Sequence, residues 1–103
     1  MTKHKKLAEI IEGLKAYGPE KIYLFGSWAK DEGDNLSDID LVVIKRTKAS
    51  FFRRLKEASR FLPTSAGGVD ILVYTPSEFM RMQKEGNAFA EMIIEEGRLL
   101  YER

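Results

Sequence analysis

Two aspartates, Asp38 and Asp40, stand two positions apart at the head of the most apolar run in the chain, Leu41-Val42-Val43-Ile44, and a third, Asp70, opens a later β-prone run. Extended backbone alternates its side chains at period two, so Asp38 and Asp40 are expected on one side as a two-carboxylate platform. Aspartate is disfavoured in strand interiors, which makes the pair worth a chemical reading. Two carboxylates about 5 Å apart repel by ~3 kcal/mol at an effective dielectric of about 20. A divalent cation between them reverses that sign, and an all-oxygen donor set favours magnesium or manganese over zinc. Asp70 is the residue that could complete a two-metal site. Taken singly, an Asp-x-Asp also suits a solvated loop before a strand, and Asp70 also suits the end of a turn.

Gly26-Ser27 closes an earlier β-prone run, Lys21–Phe25. Glycine lets backbone approach a ligand closely, and free N–H groups at a following helix start, with the Ser27 hydroxyl, could face a phosphate. A plain strand-ending turn explains the same dipeptide.

These groups need elements to hold them. Leu7, Ile10, Ile11 and Leu14 share one face of a helix ended by Gly18-Pro19. Lys21–Phe25, Asp38–Ile44 and Val69–Thr75 read as strands. A short helix is expected at Ser27–Lys30, ahead of a polar turn with Gly33, Asp34 and Asn35. Phe52, Leu55, Ser59 and Leu62 share a helical face over 49–62, with Phe51 and Ala58 beside it, stopped by Pro63. Thr75-Pro76-Ser77-Glu78 has the form of a capping box, and Asn87 caps a further helix over 88–96 ended by Gly97. Leu99–Tyr101 is expected as a short edge strand. This order predicts an α/β (α+β) fold, a mixed β-sheet flanked by helices, as a single domain over 1–103.

Composition narrows the chemistry. The 103 residues include no cysteine, which excludes thiolate catalysis and a Cys-based zinc site and is in keeping with a cytoplasmic location. No apolar stretch approaches the roughly 20 residues of a membrane span, and the basic start lacks the apolar core of a signal peptide. Seventeen basic and sixteen acidic residues give a net charge of +1, which provides no global reason to bind nucleic acid. Seven basic residues against the single acid Glu57 over 45–60 suggest one positive helix face, solvated or, as the weaker reading, turned to an acidic partner or RNA. Trp28, Phe51, Phe52, Met80 and Met82 are expected in the core, and His4 in a solvated tail.

The combination of strand, Gly26-Ser27, Ser37-Asp38-Ile39-Asp40-Leu41-Val42-Val43 and a later strand opening with Asp70 resembles the DNA polymerase beta-like nucleotidyltransferase superfamily. It is most similar to the minimal (MNT) branch found in prokaryotic HEPN/MNT toxin–antitoxin pairs. The resemblance implies that Asp38 and Asp40 bind two magnesium ions, that Asp70 is the third carboxylate, and that Gly26 and Ser27, with Ser37 and Lys30, contact the nucleotide. The implied reaction moves AMP from ATP to an acceptor hydroxyl, with a HEPN-type protein as the acceptor partner and homo- or hetero-oligomers open. Many relatives read Gly-Ser-x-Ala-Arg-Gly where this chain has Gly26-Ser27-Trp28-Ala29-Lys30-Asp31. Lys30 offers a point charge without the guanidinium fork, and Asp31 adds a negative charge near the phosphate site. A non-catalytic module that neutralises its partner by complex formation is the alternative.

Overall fold

A computed structural model describes residues 3–29, 38–64 and 66–103, with side chains from Lys5 onward. The predicted short helix at 27–30 and the polar turn after it lie partly or wholly outside these residues, as do Lys30, Asp31 and Ser37, and the side chain of His4.

The elements run α1 (Lys3–Lys15), β1 (Lys21–Phe25), β2 (Ile39–Ile44), α2 (Phe51–Ser59), β3 (Val69–Tyr74), α3 (Pro76–Lys84), α4 (Ala88–Glu96) and β4 (Arg98–Glu102). Their order is the one read from the sequence. The sheet has the strand order β3-β2-β1-β4. β2 and β3 are parallel, while β1 runs antiparallel to both β2 and β4.

β2 is a central strand with both faces covered, which is why its sequence reads as a continuous apolar run and not as an alternation. Ile39, Leu41 and Val43, with Ile22 and Leu24 of β1, pack with Ile10 and Leu14 of α1 and Ala58 of α2. Val42 and Ile44 turn the other way, onto Phe79, Ala90 and Ile93 of α3 and α4. The mixed sheet therefore lies between two helical layers.

Helix boundaries follow local chemistry. Thr75 Oγ1 accepts from the Glu78 N–H at 3.2 Å and Glu78 Oε1 accepts from the Thr75 N–H at 2.8 Å, the reciprocal pair expected of a capping box with Pro76 at the first helical position. Asn87 Oδ1 accepts from the Ala90 N–H at 3.0 Å and starts α4. Ser50 starts α2 in the same way.

Three expectations are corrected. The described part of the predicted Ser27 helix is a turn, closed by the Ala29 N–H to the Gly26 carbonyl at 3.1 Å. Gly26 takes a φ of 76°, which departs from right-handed helical geometry, and Trp28 and Ala29 are drawn into the core. In α2 the inward face is Phe51-Arg54-Leu55-Ala58, an i, i+3, i+4, i+7 set: Phe52, 81% exposed, and Ser59 turn outwards, whereas Leu62 packs against the core beyond the end of the helix. Met80 is likewise exposed at 55%, whereas Phe51 and Met82 are half-buried.

Candidate active site at the head of two parallel strands

The parallel pairing of β2 with β3 places Asp40 directly beside Asp70, and the antiparallel pairing with β1 places Phe25 on the other side of Asp40. Direct partners in a ladder share a face, and that face is the one continued by Val42, Ile44, Leu72 and Tyr74 towards α3 and α4. Asp38, two residues before Asp40, sits exposed at the entrance to β2. Asp70, thirty residues further along the chain, is thus brought to the same end of the sheet as Asp38 and Asp40 by register.

Two glycines make the room. A Cβ on Gly26 would run into Asp40 Oδ2, and a Cβ on Gly68 would run into Asp38 Oδ1. Each carboxylate occupies space that a larger residue would fill. Gly68 is fixed by its carbonyl, which accepts from the Ile39 N–H at 3.0 Å. Gly26 is fixed by the turn to Ala29 and by Trp28, whose buried ring lies 5.8 Å from the Lys6 ammonium. Sequence reasoning assigned Gly26 to a phosphate contact and did not find its role beside Asp40. Gly68, just before β3, makes room for Asp38 in the same way.

Electrostatics mark Asp40 as the stressed member. Burial pushes its carboxyl above the ordinary aspartate value, the negative charges of Asp70 and Asp38 push it further, and a hydrogen bond with Asp70 favours the protonated form. Phe25, which packs edge-on against Phe89, supplies an apolar flank. Oxygen donors, mutual repulsion and a carboxylate seated in space that a Cβ would fill match the needs of a hard divalent cation. Among the described residues no three acidic or imidazole side chains are closed into a metal cage by themselves. Asp40 and Asp70 are direct ladder partners, and Asp38 stands at the rim.

Beside Gly26 lies a hollow of about 220 Å³ lined by Phe25, Met92 and Glu96. It is below the roughly 300–1,000 Å³ of ordinary small-molecule pockets, so it holds at most part of a nucleotide. Among the described residues the Ser27 hydroxyl has no hydrogen-bond partner. A larger hollow of about 660 Å³, lined among others by Arg46, Lys48, Thr75, Ser77 and Arg81, lies at the opposite ends of β2 and β3 and contains none of the predicted site residues.

Arg54, counted in the sequence among the solvated basic face, is buried. Its guanidinium grips Glu78 through two bonds of 2.7 and 3.1 Å and also reaches the carbonyls of Ala49 (2.9 Å) and Val73 (3.2 Å). No local pattern announces a pair 24 residues apart.

The family model described as "Polymerase beta, Nucleotidyltransferase" matches residues 5–103. The chain matches no curated protein. Among solved structures, a protein from Sulfolobus solfataricus, provisionally named a nucleotidyltransferase, is similar with a TM-score of 0.67 and 26% identity, covering 96% of this chain and 79% of its own. A toxin–antitoxin structure with AMP-PNP shares the fold with a TM-score of 0.58 and 22% identity, over 99% of this chain and 75% of that one. Among the described residues no helix is long and apolar enough to cross a membrane. The chain belongs to the polymerase beta nucleotidyltransferase family.

Proposed function

We propose that this protein is a magnesium-dependent nucleotidyltransferase that moves AMP from ATP to a hydroxyl on a protein, acting in the cytoplasm as the antitoxin that adenylylates a HEPN-type toxin partner. The observation that carries the reading is the register of Asp40 against Asp70 beside a glycine that leaves space for the Asp40 carboxylate. The likeness of the fold to a toxin–antitoxin structure with AMP-PNP supports the choice of partner.

In this reading Asp38, Asp40 and Asp70 hold magnesium, two ions in all, which when bound neutralises phosphate charge and stabilises the entering and leaving oxygens. Gly26 and Ser27 present a backbone N–H and a hydroxyl to the triphosphate, and Lys30 and Ser37 extend that contact. The acceptor oxygen bonds to the α-phosphorus while the α–β bridging P–O bond breaks, and its electron pair leaves with pyrophosphate. The acceptor proton passes to a carboxylate oxygen of Asp70, which is exposed on the edge strand of the sheet.

A non-catalytic antitoxin that works by occlusion is the second reading, favoured by Lys30-Asp31 after the Gly-Ser pair. Mass spectrometry separates the two when the purified chain is incubated with the protein encoded by the neighbouring gene, ATP and magnesium. An AMP-sized mass increase on the partner that is lost in Asp40→Asn supports transfer. Stable complex formation with no mass increase defeats it.

A further inference from the structure

The open edge of β3 runs through the candidate site. In the ladder with β2 the Ile39 N–H donates to the Gly68 carbonyl and the Lys45 N–H donates to the Tyr74 carbonyl, both at 3.0 Å. The even-numbered residues of this strand therefore turn their backbone groups towards β2, and Val69, Ile71 and Val73 turn theirs outwards. Arg54 caps the outward carbonyl of Val73. Among the described residues nothing occupies the outward N–H and C=O groups of Val69 and Ile71, which flank Asp70. Among the described residues the edge is thus closed at the end remote from the carboxylates and open beside them. The other edge, β4, pairs with β1 through an irregular register between Ile22 and Tyr23, a device that bends an edge away from further pairing.

We propose that this open stretch is the docking edge for the acceptor: an extended peptide segment adds as a fifth strand on Val69 and Ile71 and sets a hydroxyl-bearing side chain opposite Asp70. The inference rests on the transfer reading above. The occupant is a polypeptide because the exposed groups alternate donor and acceptor at strand spacing, which only another peptide backbone matches in both senses. If the added strand runs antiparallel, Val69 and Ile71 form the hydrogen-bonded pairs, and Asp70 faces its partner residue in the close, non-hydrogen-bonded pair, with Cα atoms about 4.5 Å apart. Direct partners share a face, so that residue points to the side of the sheet that carries Asp70 and Asp40. Specificity then comes mainly from backbone accessibility and from one hydroxyl.

The test uses a displayed library of seven-residue peptides with a central Ser, Thr or Tyr, selected on the whole chain. Ile71→Pro deletes an N–H that makes no bond to β2, and Ile71→Ala removes the same side chain while keeping that N–H, so the second variant sets the baseline for lost packing. Enriched peptides are expected to bind Ile71→Pro roughly tenfold more weakly than Ile71→Ala. N-methylating the peptide residue that pairs with Val69 or Ile71 should cost a similar factor with the protein unaltered, so a misfolded proline variant leaves the test intact. Failure to enrich any peptide, or enriched peptides insensitive to both changes, overturns the docking edge. Peptides that bind through the edge but never gain AMP refute the transfer reading alone. AMP transfer to the partner at equal rates in Ile71→Pro and Ile71→Ala refutes the edge alone.

Discussion

Asp40 weakens the fold that presents it. Its raised pKa means that the native state holds a proton more tightly than the unfolded chain, so its contribution to stability is present below the ordinary carboxylate value and is lost as pH rises through the raised one. Asp40→Asn should flatten that slope and stabilise the metal-free protein at neutral pH, by no more than about 1 kcal/mol once solvent screening is counted. Thermal melts between pH 4 and 8 check the direction, and an unchanged slope contradicts it. Gly26→Ala should cost about 1–2 kcal/mol because φ is 76°, and it should also displace the Asp40 carboxylate, weakening magnesium–ATP binding. Gly68→Ala lacks the positive φ and should act mainly on Asp38, with a smaller loss of stability and a comparable loss of binding, read by melts beside calorimetry. Asp38, Asp40 and the Gly-Ser pair were legible as chemistry because their types and spacing sit in one short stretch, and Asp70 because it opens the next β-prone run. The fit of Gly26 to Asp40 was not, because it depends on how β1 and β2 align across a segment that sequence spacing does not constrain.

At the scale of elements, the bond between α2 and the start of α3 holds the helical layers to the sheet. Hydrogen bonds from Arg54 and the Thr75 N–H place the Glu78 carboxyl below its ordinary value against an opposing effect of burial. That stability is present above the ordinary glutamate value and is lost as pH falls through the lowered one, the reverse of Asp40. Glu78→Gln should remove this acid dependence. Arg54→Met should destabilise by about 1–3 kcal/mol, less than a fully buried pair because Glu78 is partly exposed, and Arg54→Lys should recover only part of it for want of the two-pronged geometry. Urea unfolding of the three variants decides both points. Phe52→Ser should change stability by no more than about 0.5 kcal/mol, contrary to a core role for that ring. The capping box was readable from four consecutive residues because its bonds are local. The phase of α2 was not, since Phe51-Phe52 offers two adjacent apolar positions, and only the distant acid at Glu78 makes it favourable to turn Arg54 inwards.

Over the whole molecule, parallel and antiparallel pairings around one central strand bring the end of β1 and the beginnings of β2 and β3 to the same place, where the acids gather, while the basic residues Arg46, Lys48 and Arg81 line a hollow at the other ends of the strands. The element order and the mixed sheet were legible because the apolar periods are strong and the helix caps are explicit. The pairing order was not, because it is set by contacts between segments far apart in the chain. The central claim, that Asp38, Asp40 and Asp70 form a divalent-cation and nucleotide site, is tested most directly by titration calorimetry of ATP with magnesium into the wild type, Asp38→Asn and Asp40→Asn. The account predicts saturable heat in the wild type that disappears when magnesium is omitted and is lost in both variants, each retaining a cooperative thermal transition. Wild-type affinity in both variants would contradict it.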